Sequence, residues 1–569
     1  MGLRIVALAG LLLTVASVSS AQASEGLDYS ILRSLAVQMP DQLTGRGRTA
    51  PLDTLARQCV SSITGRESFE GREPLALTLD WAARPDYWKD YPFIKVNNRN
   101  LKESLHLPPV QSRFSYGALV SNQDLSRLVS SARMARERHE NPSIVETEAE
   151  RVADQLHLYE SILQGSLFRL VPSAGGSAEL WSAPPEASEP IRQAWQNILA
   201  AAARNQGADF LRSSTALAQA VRAVNPDLYP GQKMLALECH YNSLHPFRWA
   251  ILCVILSAVA LAVSFGLWPT ALTAAGLGLL LAGLGLQSYG LVLRTVISGR
   301  APLANMYESI VFVSWGLLLA AIVLEIIFRT RVIGLVAAVL GFIALSLADA
   351  LPLDPHISQL APVLRNTVWL AIHVIIILLA YSTLTLAMGI GHVLLGTMVF
   401  TPARTERARK LSDVINWTVE VGILLLTAGI IFGAAWANSA WGRYWGWDPK
   451  ETWSLITMLG YLVMIHAVRF SGRYRDLVTA AGSIAGFLLV LMTYYGVNYL
   501  LGRGLHSYGF ESGGGQWFAI LFALVELGII AGGVWIVVNR ESRRADGGRS
   551  SEGRILDMAA KVSTGGRHP

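Results

Sequence analysis

Apolar residues are distributed unevenly along the chain, and their distribution divides it in two. Up to residue 246, apolar and polar positions are mixed, with helical patches at 125–138 and 146–163 and a Pro/Gly/Ser-rich break at 172–190. From residue 247 onward the chain is a series of long apolar runs, each close to the roughly 20 residues that a helix needs to cross a bilayer. The pattern predicts a mainly helical soluble domain at 24–246 and a membrane domain at 247–539.

The membrane domain is predicted to contain about nine transmembrane helices, separated by short polar or Pro/Gly breaks. Hydrocarbon offers no hydrogen-bond partners, so every backbone N–H and C=O group within the bilayer must bond inside the protein, as it does in an α-helix. Apolar runs of this length therefore predict an all-α polytopic membrane protein. The predicted spans are 248–267, 270–293, 306–328, 332–348, 367–399, 414–436, 452–469, 477–500 and 517–538.

The first 23 residues have the pattern of a secretory signal peptide. Arg4 precedes an apolar run from Ile5 to Val18, and small residues at 21–23 form a cleavage site. Because the run is shorter than a membrane span, cleavage after Ala23 is favoured over an uncleaved anchor. The pattern therefore predicts that the soluble domain is exported.

The segment 44–55 is the most motif-like part of the soluble domain. It combines a turn rich in Gly and Arg with a helix start in which Pro51 is placed for the first turn. We interpret it as a packing motif rather than a binding loop.

Positive charge sets the predicted orientation. Arginine and lysine cluster after the fifth, seventh and ninth spans, and all three places fall on one side of the membrane, which is predicted to be the cytoplasm. The soluble domain and the loop 437–451 are then extracytoplasmic, and the tail 540–569 is cytoplasmic. Arg294 and Arg300 fall on the outer side, either as tolerated exceptions or as contacts for an anionic ligand.

Composition narrows the function further. The 569 residues are 52% hydrophobic and 15% charged, with a formal net charge of +6. Much of the basic charge lies in short loops between spans, so it does not indicate a nucleic-acid partner. The chain lacks C-x-x-C-H and is not itself a c-type cytochrome. Its cysteines are Cys59, Cys239 and Cys253, and the sequence does not decide whether the first two form a disulfide.

The stretch 436–453 concentrates wide aromatic rings at a membrane boundary. It holds five of the sixteen tryptophans, and glycines lie among them. Tryptophan also collects in ordinary interfacial belts, but this density beside glycine favours a platform for a planar apolar ligand. Residues 448–451 have the pattern of a capping box for the seventh span. The platform residues are Trp441, Gly442, Trp445, Gly446 and Trp447.

Three histidines bear on such a ligand. His373, near the start of the fifth span, and His506, in the loop after the eighth, both lie on the side of the tryptophans. Two neutral imidazoles beside an aromatic platform suit the axial positions of an iron porphyrin. His466 lies deeper, roughly 20 Å below the loop by helical rise. The alternatives are that these histidines have ordinary roles in helix packing or in a loop. His392 is interpreted as structural, and Glu526 has no assigned role.

The segment 441–453 closely resembles the tryptophan-rich "WWD" signature of haem-handling proteins, specifically the CcsA/ResC-type cytochrome c biogenesis subunit. Supporting matches are 302–309, 504–509 and His373, and the similarity covers about 294–516 but not 24–246. The resemblance implies that His373 and His506 ligate haem iron at an outer site. It also implies that His466 is one of a pair holding haem inside the membrane, the other belonging to a CcsB/ResB partner subunit.

The resemblance further implies a function in cytochrome c maturation by system II. The expected activity is that of a haem lyase or synthase subunit, which transports haem b as substrate and presents it for thioether attachment to the CxxCH segment of apocytochrome c. A thiol-reducing thioredoxin-like protein and membrane lipid are further expected partners. The expected haem contacts are Trp441, Trp445, Trp447 and Asp448, with Arg443, Arg503 or Arg300 at the propionates.

Three alternatives remain open. A haem exporter or chaperone would deliver haem to a separate lyase. A small-solute transporter would use the tryptophans as a gate, although two histidines on the tryptophan side argue against it. An assembly subunit would bind nothing in its spans and use the exported domain to recruit other factors.

Overall fold

A computed structural model describes residues 27–39, 48–173, 180–351, 353–357, 368–401, 405–501 and 516–564. The chain separates into two compact units, Met1–Leu244 and His245–Pro569. Within the described residues, nine helices are long and apolar enough to cross a membrane. The predicted all-α polytopic fold with a helical N-terminal region is therefore confirmed. The predicted signal peptide and His506 lie outside the described residues.

The N-terminal unit is mainly helical and contains two small antiparallel sheets in its described part. Strand β1 (Ala36–Gln38) pairs with β2 (Thr49–Pro51), and β3 (Ile94–Lys95) pairs with β4 (Arg113–Phe114). The helices are α1 Ser30–Arg33, α2 Leu52–Thr64, α3 Pro74–Ala83, α4 Pro85–Lys89, α5 Arg99–Ser104, α6 Tyr116–Val120, α7 Gln123–Glu137, α8 Ile144–Leu163, α9 Glu189–Ala203, α10 Gly207–Val224 and α11 Gln232–Leu244, with a short 3₁₀ helix at Pro184–Glu186.

The longer helices begin at polar caps, and their apolar faces meet in an aromatic core. Asn122 accepts hydrogen bonds from the first backbone N–H groups of α7, and Ser143 forms a capping box with Glu146 at the start of α8. These helices confirm the two predicted patches. Trp81 is fully buried and lies 5.2 Å from Phe93 between ring centroids. The unit therefore has its own hydrophobic core.

The motif 44–55 supplies a buried polar network, as far as it is described. Arg48 donates to both carboxylate oxygens of Glu238 on α11, at 2.9 and 2.6 Å, and Thr54 Oγ1 donates to the same carboxylate at 2.7 Å. Asn242 Nδ2 adds bonds to Thr54 and Asp53. The packing interpretation is therefore favoured, with Pro51 one residue before the helix rather than inside it.

The cysteines are free thiols in this structure, so Cys59 and Cys239 do not form a disulfide. Cys59 is fully buried in α2, and burial raises the pKa of its thiol. Since the thiolate is the reactive form, Cys59 is a structural cysteine.

The second unit is a bundle of long helices. Helix α16 occupies its centre, because it packs against α14, α15, α17, α19 and α20. Helix α12 packs on α13 and α15, and α18 packs on α19. The helices are α12 Pro246–Val263, α13 Pro269–Ser298, α14 Met306–Phe328, α15 Val332–Ala350, α16 Val368–Phe400, α17 Thr405–Trp441, α18 Pro449–Phe470, α19 Arg475–Leu491 and α20 Gln516–Thr564, with a 3₁₀ turn at Gly472–Tyr474 and a π-helix at Met492–Leu501.

The structure differs from the hydropathy prediction at several helix boundaries and in the type of one helix. Helix α17 continues to Trp441, so the first part of the predicted outer loop 437–451 is helical. The eighth span ends in the π-helix, and α20 runs on to Thr564 through most of the predicted tail. Hydropathy marks where apolar sequence ends, whereas a helix continues as long as its backbone bonds are made.

We predict that Glu238→Leu destabilises the protein strongly, because it leaves the Arg48 guanidinium buried without its carboxylate. Removing one partner of a buried ion pair costs about 3–5 kcal/mol. The double variant Arg48→Met, Glu238→Leu should recover most of this loss. Thermal unfolding of the full chain in detergent measures both, and equal melting temperatures for the two variants would contradict the role given to the pair.

Candidate functional site

The tryptophan-rich segment is a short loop between two helix ends. Trp436 is buried within α17 and meets Trp441, the last residue of that helix, edge to face at 4.7 Å between ring centroids. Gly442 has a φ of +71°, a left-handed conformation that glycine adopts without strain, and it ends the helix. Trp436 and Trp441 therefore belong to α17, Trp453 belongs to α18, and Trp445 and Trp447 belong to the loop.

The loop itself presents a second aromatic pair. Trp445 and Trp447 lie 5.8 Å apart between ring centroids with their planes at 89°. Trp447 is 71% exposed and has a φ of 57°, which is uncommon for a residue with a bulky side chain. Backbone strain of this kind persists only where the surroundings enforce it, and it concentrates at ligand sites. The Trp447 ring is thus held outward rather than packed away.

A capping box enforces this loop conformation. Glu451 Oε2 accepts hydrogen bonds from Gly446 N at 2.7 Å and from Asp448 N at 3.2 Å. Asp448 Oδ1 accepts from Lys450 N at 3.0 Å and caps α18. The predicted cap is confirmed, and the Glu451 carboxylate also holds the loop backbone two residues before Asp448.

His373 lies on α16, where that helix packs against α17. Its Nδ1 is 2.7 Å from the carbonyl oxygen of Gly429. A carbonyl only accepts, so in the neutral ring Nδ1 carries the hydrogen and Nε2 carries the lone pair. A Cβ placed on Gly433 would lie 2.6 Å from His373 Cε1, so this glycine makes room for the imidazole.

His373 is connected to the tryptophan loop through α17. Gly433 precedes Trp441 by eight residues on that helix, about 12 Å by helical rise. One turn before His373, Trp369 stacks on Phe432 of α17 at 6.0 Å with planes at 24°. Sequence reasoning missed this pair, although an aromatic residue four positions before a candidate ligand was visible.

His466 is exposed on the surface of α18. Its Nδ1 is 2.7 Å from the carbonyl oxygen of Leu462, so the lone pair again belongs to Nε2. The buried positions of this helix include Tyr461, Met464 and Val468, and His466 lies on the opposite face. The structure does not bring His466 together with His373. Ionisable residues exposed on a membrane-spanning helix are candidate functional residues, so His466 stays a candidate ligand.

An unpredicted ionisable pair lies elsewhere in the bundle. His392 Nε2 on α16 is 2.7 Å from Glu526 Oε2 on α20, and Glu526 is buried. His392 Nδ1 contacts the carbonyl oxygen of Met388 at 3.0 Å. The pair gives Glu526 a role and supports the structural interpretation of His392. A search of the predicted spans for a basic and an acidic residue that could pair would have suggested it.

The two arginines that the charge pattern predicts on the outer side belong to a second buried cluster. Arg294 and Glu308 are each 1% exposed, and Arg294 Nη2 donates to Glu308 Oε1 at 2.6 Å. Arg300 Nη1 donates to the other oxygen of Glu308 at 2.9 Å. Asn305 caps α14 by accepting from Glu308 N. Arg294 is therefore an internal ion-pair partner rather than a surface contact.

Comparisons with known proteins define the family. A family model described as "Cytochrome C assembly protein" matches residues 303–506. The cytochrome c biogenesis protein CcsA of Prochlorococcus marinus subsp. pastoris is 34% identical over 252 residues, which cover 39% of this chain and 79% of that protein. The chain belongs to the CcsA family. CcsA of Guillardia theta is 37% identical over 241 residues, covering 38% of this chain and 79% of its own. The resemblance drawn from the tryptophan motif is confirmed.

Two further similarities bear on the CcsA-type chain. NrfI of Wolinella succinogenes is 29% identical over 490 residues, which cover 81% of this chain and 53% of NrfI, so the chain spans about half the length of that relative. The solved structure of Cytochrome c Heme Lyase CcmF matches with a TM-score of 0.39 and 15% identity over 52% of this chain and 50% of CcmF. That likeness is too low to carry an argument.

We predict that Glu451→Ala frees the loop of this CcsA-type chain. The Gly446 and Asp448 amides lose their acceptor, so their hydrogen exchange should accelerate, and stability should fall by about 1 kcal/mol. Hydrogen exchange of the 442–450 peptide measured by mass spectrometry tests this. Glu451→Gln keeps an acceptor oxygen and is the matched control. Unchanged protection from hydrogen exchange in Glu451→Ala would show that the capping box does not cause the loop conformation.

Proposed function

We propose that this CcsA-type chain moves haem across the membrane and presents it at the tryptophan loop for covalent attachment to apocytochrome c. The observation that carries the proposal is the hydrogen bonding of the His373 ring. Its Nδ1 bonds the carbonyl oxygen of Gly429 on α17, so the neutral ring has its lone pair on Nε2, the atom that would ligate haem iron, and α17 ends at Trp441. Haem b is the substrate, and His373 and His506 are its proposed outer iron ligands.

His466 is the proposed ligand at an inner site. Its exposure on α18 supports this, because a histidine facing hydrocarbon needs a group that covers it. A CcsB/ResB-type subunit supplies the second inner ligand and covers this face. In the proposed orientation, in a bacterial inner membrane, haem moves from His466 toward the extracytoplasmic loop, and the C-terminus is cytoplasmic.

The loop residues provide binding surface rather than chemistry. Trp441, Trp445 and Trp447 contact the porphyrin face, and Asp448 acts by fixing the loop onto α18. Arg443 is the preferred partner for a propionate, because it is exposed in the loop. Arg300 is less suited, since it already bonds Glu308. Arg503 lies outside the described residues.

The proposed reaction needs no nucleophile from this chain. Each cysteine thiol of the CxxCH segment adds across one haem vinyl group: a carbon–sulfur bond forms, the vinyl π bond breaks, and the thiol hydrogen ends on the neighbouring carbon. The client histidine then replaces one holding ligand. A thioredoxin-like protein keeps the client thiols reduced. The chain contributes position and orientation, and it acts as a synthase subunit together with its partner.

We predict that His373→Ala, purified with a CcsB-type partner, retains haem about tenfold less well or worse, with an altered Soret band. Gly433→Ala should have the same effect in milder form, because the added Cβ displaces the His373 ring. Gly396→Ala on α16 meets open space and is the control. Wild-type haem spectra in both His373→Ala and His506→Ala would eliminate the proposed outer ligands.

The competing function is that of a haem exporter delivering haem to a separate lyase. Co-expression of this chain and its CcsB-type partner with an apocytochrome reporter, in cells without another maturation system, separates the two. Covalent haem on the reporter supports the synthase function. Haem bound by the chain without attachment supports the exporter. Solute-dependent flux without bound haem would support a transporter instead.

A further inference from the structure

A cavity lies at the end of the last apolar span, and none of its described lining residues is a proposed haem contact. Its volume is about 390 Å³, and it is open to the surface rather than enclosed. Helix α20 supplies the described lining residues, which repeat at helical spacing along one side of its last membrane turns. They are Trp535, Ile536, Asn539, Arg540 and Arg543.

The polar groups of this lining are suited to an anion. Two guanidinium groups, a side-chain amide and an indole N–H can all donate hydrogen bonds, and none of the described lining residues is acidic. Arg543 is exposed. The described lining therefore carries two positive charges and no negative one.

Arg540 is held in place before any ligand arrives. Its Nη1 donates to Met398 O at 3.1 Å and its Nη2 to Val399 O at 3.0 Å, both in the last turn of α16. Carbonyl groups at a helix C-terminus attract a cation, so the guanidinium is fixed between α16 and α20. A guanidinium has five N–H donors, so these two bonds leave others for an anionic group.

The surroundings require a ligand with an apolar part as well. The apolar span of α20 is Ala519–Arg543, so the cavity occupies its polar end, at the membrane boundary. Trp535 is 68% exposed and Leu527 is 51% exposed on the same helix. Indole rings take this position where headgroups meet acyl chains, and arginine reaches from it toward phosphate. A small soluble anion would use the arginines but not the apolar wall.

We propose that this cavity is a binding site for the headgroup of an anionic phospholipid, with Arg540 and Arg543 on the phosphate and Trp535 against the upper acyl chain. The site is independent of the haem proposal, because it shares no residue with it. Basic pockets beside transmembrane helices bind acidic headgroups in this way.

Native mass spectrometry of the full chain, titrated with phosphatidylglycerol or phosphatidylcholine, tests the site. The wild type should retain phosphatidylglycerol in preference to phosphatidylcholine. Arg543→Gln should weaken retention of phosphatidylglycerol about fivefold, since one basic residue at a membrane surface contributes about that factor. Arg540→Lys tests the fixed guanidinium without removing its charge, and it should weaken retention to a lesser degree.

Arg473→Gln is the matched control, because Arg473 is an exposed arginine in the turn between α18 and α19 and has the same charge. An equal loss in Arg473→Gln and Arg543→Gln would show general electrostatic attraction and overturn the site. Displacement of the lipid by millimolar inorganic phosphate would reassign the cavity to a soluble anion. Thermal stabilisation by phosphatidylglycerol in the wild type but not in Arg543→Gln would support the proposal.

Discussion

Hydrocarbon offers no hydrogen-bond partner to a polar group, and the membrane unit is organised by this constraint. It requires helices, and it also requires that ionisable side chains inside the bundle find hydrogen-bond or charge partners. Glu308 is held by Arg294 and Arg300, and Glu526 by His392. His392 and Glu526 are 134 residues apart and join α16 to α20, whereas Arg294 and Arg300 lie 14 and 8 residues before Glu308 and join α13 and the loop after it to α14. Internal charges therefore act as connectors that fix which helices are neighbours.

His466 is an exception to this constraint, and the proposed function depends on it. His466 faces outward from α18, and its polar ring has the carbonyl of its own helix as partner for one nitrogen only. His373 is half-enclosed between α16 and α17, where Gly433 leaves space for the ring. The proposed inner ligand is therefore on the bundle surface, and the proposed outer ligand lies against α17, which leads to the tryptophan loop. Two candidate ligands on different helices are consistent with the proposed transfer of haem across the membrane.

The tryptophan loop depends on a few short-range bonds. Glu451 accepts hydrogen bonds from the backbone amides of Gly446 and Asp448, and Gly442, in a left-handed backbone conformation, ends α17. These features were predictable, because a capping box and a terminal glycine are local in sequence. The position at which α17 ends was not predictable. Residues 437–440 are polar enough to suggest a loop, whereas contact between Trp436 and Trp441 favours a further helical turn.

The π-helix at Met492–Leu501 also escaped prediction for a physical reason. Hydropathy does not distinguish α from π bonding, since it records how apolar a segment is and not which backbone groups bond. Side-chain bonds to other helices accompany the wider turn: Thr493 bonds Thr457 on α18 at 2.7 Å, and Tyr494 bonds Ser309 on α14 at 2.7 Å. Such bonds exist only once the bundle has formed.

The sequence by itself determined the number of spans, the helical caps and the family signature, because these depend on residues within a turn or within one apolar run. Only the tertiary structure decided which polar groups meet. His392 and Glu526 are 134 residues apart, and His373 and Gly429 are 56 apart. No periodicity encodes such pairs, since they result from how whole helices pack. The local pattern thus specified the helices, and their packing specified the environment of each histidine.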